Sequence, residues 1–232
     1  MKHDSWTEVK EKLGKYAASQ VPDMGIIGLG TGSTASAFIH ALGERHRTSP
    51  LTIQCVATSQ ASEILALECG LPVLRKDWPK NITITFDGAD AVVNNNELIK
   101  GGGGAFLREK IVAKASKRFV CMVDERKLSV HVRVPVAIIP FGGEATMNHI
   151  HEMGYKGTIR MHEGEIVYTD DGLWIFDIGL PTKENLQEID LLLKQIPGVV
   201  DTGVFYHMAT SLIIGYENGH IEEKKFEQGH KR

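Results

Sequence analysis

Short apolar runs alternate with helix-forming segments along the first half of the chain. The periodicity predicts helices over 5–19, 33–42, 59–68 and 105–116, and strands over 24–29, 51–57, 82–86 and 119–123. The pattern of Ser5 and Glu8 is typical of a helix start, and Gly43 and Gly70 of helix ends. Because consecutive parallel strands need a crossover segment, this alternation predicts a doubly wound, mostly parallel α/β sheet.

The element order changes near Val132. Strands are predicted over 134–139, 158–161, 165–169, 173–178 and 199–205, and helices over 144–153 and, capped by Thr182, to about 195. This order approximates the β-α-β-β-α-β signature of a ferredoxin-like arrangement. Two last strands, over 211–216 and 220–226, are expected to rejoin the first sheet. We therefore expect an α/β domain (1–131 plus 208–232) with a smaller ferredoxin-like α+β domain (132–207) inserted near the C-terminus.

Composition excludes several classes of function. The 232 residues carry a net charge of -3, which gives no reason to expect a nucleic-acid or membrane partner. No apolar run reaches the roughly 20 residues that span a bilayer. Cys55, Cys69 and Cys121 are odd in number and widely spaced, so neither a disulfide framework nor a zinc site is indicated. A reducing, cytoplasmic location is expected.

A run of four glycines, Gly101–Gly104, lies between Lys100 and a predicted helix that contains Glu109. Bare glycine backbone can approach a ligand closely and offer N–H donors, and a helix start adds further donors and positive potential. A lysine before this run and a carboxylate just after it suit an anionic substrate and a proton transfer. The alternative is a linker or tight turn, which the absence of serine and the immediate helix argue against.

A second glycine-rich turn, Gly28–Thr34, joins a predicted strand to a predicted helix. Its hydroxyls beside a helix N-terminus suit a phosphate group. A Walker A loop would need a lysine before the Ser/Thr, and a dinucleotide fingerprint would need glycine at Ser33. The turn therefore favours a monophosphate over a nucleotide, unless it is merely a tight strand-to-helix connection.

Asp87-Gly88-Ala89-Asp90 follows a predicted strand. Two carboxylates at this spacing could face one pocket and move protons between hydroxyl and carbonyl groups. Asp-Gly between apolar runs is equally typical of a hairpin. Magnesium binding ranks lower because no third acidic residue stands nearby at a useful spacing.

For two further charged residues, the sequence allows both a functional and an ordinary surface role. Glu109 shares a helix stripe with Ala105 and Val112, so it is either a buried base with a raised pKa or an ordinary exposed glutamate. Lys127 follows a predicted strand, where ligands gather in open α/β sheets, but a solvated loop charge is the commoner case.

Taken in order, these motifs resemble the ribose-5-phosphate isomerase A family over nearly the whole chain. The shared segments are Gly28–Thr34, Phe86–Asp90, Lys100–Ala105 with Arg108–Lys110, Val120–Asp124 with Lys127, and Ile196–Val200. The resemblance implies interconversion of ribose 5-phosphate and ribulose 5-phosphate without cofactor or metal. It also implies an α/β domain with a ferredoxin-like lid and a homodimer or homotetramer.

The resemblance also assigns roles. Glu109 would move a proton between C2 and C1 through an enediolate, Asp87 would handle ring opening or hydroxyl protons, and Asp90 would assist. Lys100 would stabilise the enediolate oxygens together with backbone amides. Substrate contacts are implied for Thr31, Gly32, Ser33, Thr34, Gly88, Ala89, Gly101, Gly102, Gly103 and Lys127, and more weakly for Lys10.

The chain departs from the family pattern at two positions. Ala91 follows the second aspartate where the family usually has glutamate, and Ala137 replaces glutamate in Pro-Val-Glu. Neither is an assigned substrate contact, so both bear on how Lys100 or Asp90 is oriented. Alternative functions on a similar fold are a non-catalytic sugar-phosphate-binding regulator, a sugar-phosphate deaminase and an acyl-CoA transferase.

Overall fold

The computed structural model describes residues 5–76, 78–94, 96–128, 133–180 and 185–226. The elements through the first half are α1 (Ser5–Ser19), β1 (Met24–Leu29), α2 (Ser33–Thr48), β2 (Thr52–Ala57), α3 (Gln60–Glu68), β3 (Ile84–Gly88), β4 (Ala91–Val92), β5 (Glu97–Ile99), α4 (Phe106–Ala115) and β6 (Phe119–Asp124). The remainder are β7 (Val134–Ile138), α5 (Gly143–Glu152), β8 (Gly157–Ile159), β9 (Met161–His162), β10 (Glu165–Ile166), β11 (Trp174–Ile178), α6 (Leu186–Leu193), β12 (Val199–Thr202), β13 (Val204–Tyr206), β14 (Ser211–Gly215) and β15 (Ile221–Lys225).

The chain divides into two compact units. Unit 1 comprises 1–89, 108–128 and 208–232, and unit 2 comprises 90–107 and 129–207. The segment 90–107, which the sequence led us to expect in the α/β domain, thus groups with the second unit.

Unit 1 is built on a six-stranded sheet in the order β15-β14-β6-β3-β1-β2. Every pairing is parallel except that of β14 with the edge strand β15. The mostly parallel sheet and the return of the last two strands to it are confirmed. Its core is formed by buried side chains from helices and strands, among them Leu13, Ile27, Phe38, Phe86 and Met122.

Unit 2 contains a four-stranded antiparallel sheet in the order β12-β7-β11-β8. When these four strands are numbered by their order along the chain, the sheet runs 4-1-3-2, with α5 and α6 as the connecting helices. This is the expected ferredoxin-like arrangement. Ile150 of α5 and Ile189 and Leu193 of α6 pack with Val136 and Phe176 of the sheet in one core.

A three-stranded sheet, β13-β5-β4, was not predicted from the sequence. The expected single strand over 199–205 is divided at Gly203 between this sheet and the four-stranded one. A Cβ at Gly203 would lie 2.6 Å from Pro135 Cγ, so only glycine fits the point where the chain changes sheets. Strands of two or three residues carry too little periodicity to be recognised.

Two predicted helix boundaries were wrong, while α1 spans the predicted residues 5–19. Helix α2 continues past Gly43 to Thr48, because that glycine serves a close approach: a Cβ there would lie 2.7 Å from Cys69 Cβ. Asn185 caps α6 by accepting from the N–H groups of the second and third helical residues, while Thr182 lies outside the described residues.

None of the helices within the described ranges combines the length and apolar character needed to cross a bilayer. The described cysteines are all free, with Cys55 and Cys121 buried. Burial raises the pKa of the Cys55 thiol to about 12, so it is protonated and unreactive at neutral pH.

Candidate active site

In unit 1, Asp87 lies in β3 at the centre of the parallel sheet and is fully buried. It pairs with Cys121 of β6 in parallel register, so the alternative of a hairpin at Asp87-Gly88 was wrong. Its Oδ1 accepts hydrogen bonds from the N–H groups of Thr31 (3.1 Å) and Gly88 (2.7 Å). A Cβ at Gly30 would lie 2.6 Å from Asp87 Cα, so the glycine makes this approach possible.

The turn after β1 leads directly into α2. Gly32 has a φ of 97°, which favours glycine, and no side chain caps the helix at this residue. Gly32 and Ser33 are exposed, and Thr34 is half-buried. The first N–H groups of a helix lack intrahelical partners and carry positive potential, so this turn can receive a phosphate.

The hydroxyl of Thr31 points into the protein. It lies within 2.7 to 3.2 Å of the hydroxyl oxygens of Thr58, Ser59 and Ser62. Ser62 in turn donates to the Gly30 carbonyl at 2.7 Å. The sequence suggested Thr31 as a substrate contact; the structure shows that its hydroxyl braces the turn.

Glu109 lies in the first turn of α4 and is only 4% exposed. The alternative of an ordinary exposed helix glutamate was therefore wrong. A carboxylate withdrawn from bulk water is suited to act as a general base.

Lys10 on α1 and Lys127 in a short 3-10 helix after β6 are both half-buried. Burial alone would raise the pKa of Asp124, which precedes this helix. Hydrogen bonds and charge from Arg126, together with the charge of Lys127, outweigh burial and lower that pKa. The end of β6 therefore combines an ionised carboxylate with cationic side chains.

In unit 2, Lys100 follows β5 and is 2% exposed. Its backbone N–H donates to the Gly203 carbonyl at 2.9 Å, and its Nζ lies 5.4 Å from the centre of the Phe205 ring. Such a buried cation against an aromatic face is held in a restricted position.

Asp90 and the glycine run are joined directly. The Gly102 N–H donates to Asp90 Oδ2 at 2.6 Å, and the Asp90 N–H donates to the Ile99 carbonyl at 2.8 Å. Gly101 has a φ of 111°, and a Cβ there would lie 2.6 Å from Phe106 Cδ1. The run is thus a closely packed turn, in which the Gly104 N–H donates to the Gly101 carbonyl, and not a linker.

Sequence reasoning missed Arg160. This side chain donates to the carbonyls of Gly101 (2.7 Å) and Gly102 (3.1 Å) and pairs with Asp177. No local motif marks an arginine that acts on a loop 58 residues away, so only the structure could reveal it.

The candidate residues divide between the units. Unit 1 holds Lys10, Thr31, Gly32, Ser33, Thr34, Asp87, Gly88, Ala89, Glu109 and Lys127, and unit 2 holds Asp90, Lys100, Gly101, Gly102 and Gly103. In the described ranges, no three His, Cys, Asp or Glu side chains cluster in a way that could hold a metal ion.

The two departures from the family pattern lie in unit 2 and are fully buried. Ala91 pairs with Ile99, the residue before Lys100, and Ala137 pairs with Ile175. Ala91 and Ile99 belong to one apolar cluster, so the strand that leads into Lys100 is supported here by apolar packing.

Comparisons with known proteins agree with one another. Residues 54–219 match the family model of ribose 5-phosphate isomerase A (phosphoriboisomerase A). Ribose-5-phosphate isomerase A 1 of Oceanobacillus iheyensis is 39% identical over 90% of this chain and 94% of its own length. A solved D-ribose-5-phosphate isomerase in complex with phospho-erythronic acid is 34% identical, with a TM-score of 0.89 over 94% of this chain and 98% of that one.

The isomerase of Methanocaldococcus jannaschii is 35% identical, with a TM-score of 0.87 over 94% of this chain and 99% of its own. Fold and sequence therefore lead to the same conclusion: the chain belongs to the ribose 5-phosphate isomerase A family.

Proposed function

We propose that this chain interconverts D-ribose 5-phosphate and D-ribulose 5-phosphate by proton transfer through an enediolate. The observation that carries the proposal is the burial of Glu109, at 4% exposure, in the first turn of α4. An aldose–ketose isomerase needs a base that removes the proton alpha to a carbonyl, and a carboxylate screened from water is suited to this task.

The remaining catalytic roles follow the chemistry of the reaction. Glu109 carries the proton between C2 and C1. Asp87, held by two backbone N–H groups, exchanges protons with the sugar hydroxyls during ring opening. Lys100 faces the negative charge that develops on the enediolate oxygens, where each preorganised donor is typically worth about 10²–10³ in rate.

The glycine amides do not all stabilise the negative charge of the enediolate. The Gly102 N–H is donated to Asp90, so in this proposal it fixes that carboxylate. The backbone around Gly101 and Gly103 supplies the stabilising dipoles. Asp90 assists proton transfer on the hydroxyl side.

The phosphate is assigned to the start of α2. The amides after Gly32 and the hydroxyls of Ser33 and Thr34 are the proposed ligands, while Thr31 acts through its backbone and its bracing hydroxyl. Lys127 and, more weakly, Lys10 add positive charge. The relative solved with phospho-erythronic acid, a phosphorylated sugar acid, supports a ligand of this class.

The test is a ribose 5-phosphate assay in the presence of EDTA, because the proposed chemistry needs neither metal nor cofactor. Glu109→Gln should lower kcat by about 10²–10⁴. Glu8→Gln is the matched control: Glu8 also lies in the first turn of a helix but is exposed, and its variant should keep full activity. A Glu109→Gln enzyme with most of its activity would overturn the assignment of the base.

The non-catalytic regulator of the same fold is not favoured, because the relatives are named as isomerases over nearly the whole chain. Tight binding of ribose 5-phosphate without turnover would restore it. Turnover of amino-sugar phosphates or acyl-CoA would instead indicate a deaminase or transferase.

The proposal includes a homodimer or homotetramer in the cytoplasm. Exposed apolar side chains of unit 2, among them Phe141 at 93% exposure, support self-association. The free cysteines support a reducing compartment. Sedimentation that gives a monomer mass at micromolar concentration would refute the oligomer.

A further inference from the structure

We propose that Arg160, held by Asp177, is a positioning residue that orients the peptide groups of the glycine loop, Gly101–Gly104. This inference rests on the proposed function, because the loop is assigned to the developing enediolate charge. Arg160 reaches no reacting atom itself; it acts through the loop backbone.

The guanidinium of Arg160 makes four hydrogen bonds within unit 2. Nη1 donates to the carbonyl oxygens of Gly101 at 2.7 Å and Gly102 at 3.1 Å. Nε and Nη2 donate to Asp177 Oδ2 at 2.8 Å and Oδ1 at 2.5 Å. One planar group thus joins two successive loop carbonyls to one carboxylate.

The anchor for these bonds is rigid. The Arg160 N–H donates to the Ile175 carbonyl at 2.8 Å, and the Arg160 carbonyl accepts from the Val167 N–H at 3.0 Å. The side chains of Arg160 and Asp177 are only 19% and 16% exposed. A bidentate pair fixed at both ends holds the guanidinium in one orientation.

Holding the two carbonyls fixes the amides on the opposite side of the same peptide planes. Because the peptide bond is planar and trans, the Gly101 carbonyl sets the direction of the Gly102 N–H, and the Gly102 carbonyl sets that of the Gly103 N–H. The Gly102 N–H meets Asp90 Oδ2 at 2.6 Å. The Gly103 N–H is one of the donors that the proposed mechanism assigns to the enediolate.

Glycine makes such an external support necessary. A glycine backbone populates many conformations, so four in succession would not hold a donor in place by themselves. The positive charge of Arg160 is balanced by the carboxylate of Asp177. Arg160 therefore acts on the loop by fixing the direction of its peptide groups and by polarising them through linked hydrogen bonds. A lysine could not replace it, since a single ammonium cannot span both carbonyls and both carboxylate oxygens.

The test compares Arg160→Gln and Arg160→Lys with a control, Arg133→Gln. Arg133 is also in unit 2, and it donates to the hydroxyl of Thr158, which is not part of the loop. Both Arg160 variants should lower kcat about tenfold to a hundredfold, while KM changes less than about threefold, because the loop acts on charge present only in the transition state. The control should retain wild-type kcat and KM.

The split between kcat and KM separates positioning from general destabilisation. Arg160→Lys keeps a cation beside Asp177, so it decides the matter if Arg160→Gln does not fold. A kcat within about twofold of wild type for a folded Arg160→Lys enzyme would overturn the proposal. A loss seen only as a raised KM would overturn it too.

Amide hydrogen exchange tests the same inference without catalysis. The Gly104 N–H donates to the Gly101 carbonyl, the same oxygen that Arg160 binds, and so reports on the turn. Exchange at Gly102–Gly104 should rise at least about tenfold in Arg160→Gln and stay unchanged in Arg133→Gln. If wild type shows no isomerase activity but this exchange still rises, the proposed function fails and the positioning role stands; unchanged exchange overturns the role.

Discussion

The two glycine-rich loops of this protein are held in place by different means. The turn at Gly30–Thr34 in unit 1 is braced by close neighbours: Asp87 in the adjacent strand and a group of hydroxyls at the start of α3. The loop at Gly101–Gly104 in unit 2 is held by charged side chains, Asp90 on one peptide group and Arg160 on two carbonyls.

This difference follows from the length of the regular elements next to each loop. The first turn lies between a strand and a helix of 16 residues, so regular elements fix both of its ends. The second follows a strand of three residues and needs a distant arginine to hold its peptide planes. Substitutions in the second loop should therefore act on kcat, and substitutions in the first on KM or stability.

Among substitutions in the two loops, the largest effect is expected from Gly102→Ala. A Cβ there would lie 2.7 Å from Asp90 Oδ1, so the methyl group must displace the carboxylate or rotate the peptide. We expect kcat to fall about 10²-fold, as for a misplaced catalytic donor. Steady-state kinetics measures this.

Gly179→Ala is the control for that variant. Gly179 also lies in unit 2, and among the described residues the nearest atom to its added Cβ, the Lys156 carbonyl oxygen, is 3.8 Å away. Equal losses in both variants would show that the loop has no special role.

Ser33→Ala tests the first turn. Ser33 is exposed at the first position of α2, where its hydroxyl can bind the substrate phosphate. Loss of one hydrogen bond to a charged group should raise KM about tenfold and leave kcat nearly unchanged.

The control is Ser36→Ala, since the Ser36 hydroxyl donates to the Gly32 carbonyl and is already used within the helix. A fall in kcat for Ser33→Ala without a rise in KM would contradict the division of labour between the two loops.

Thr31→Val should affect stability more than binding. Its hydroxyl lies among those of Thr58, Ser59 and Ser62, all three of which are buried, so the valine removes one hydrogen-bond partner from each of them. The free energy of unfolding should fall by about 1–3 kcal/mol. Urea denaturation measures it, and a large rise in KM at unchanged stability would instead make the hydroxyl a substrate ligand.

The smallest effect is expected at the end of β6. The lowered pKa of Asp124 means that its carboxylate stabilises the folded protein above its unfolded pKa, and that this contribution is lost as pH falls through the lower, folded pKa. Arg126 is half exposed, so solvent screens the pair and limits its contribution to about 1 kcal/mol.

Asp124→Asn should therefore lower the free energy of unfolding at pH 7, and the difference from wild type should shrink as pH falls below the ordinary aspartate pKa of about 3.9. Urea denaturation at neutral pH and across the acid range measures it. A difference that does not change with pH would show that packing and not charge is responsible.

Local pattern was enough for most regular elements. Strand β1 was predicted with its exact bounds, and the alternation through β6 gave the mostly parallel sheet. These predictions were correct because helices and strands are set mainly by the spacing of apolar residues and by turn residues within a short stretch of chain. Gly43 was wrongly predicted to end α2, because its role is set by a distant residue. It allows the close approach of Cys69, which follows α3.

The candidate site divides in the same way. Sequence by itself identified the residues to which we assign the chemistry, namely Glu109, Asp87, Lys100 and the two glycine-rich turns. Tertiary structure decided which of them are buried, that Thr31 braces the turn, and that Arg160 holds the glycine loop. The physical reason is that burial and hydrogen-bond partners depend on residues far apart in the chain, whose meeting no local pattern records.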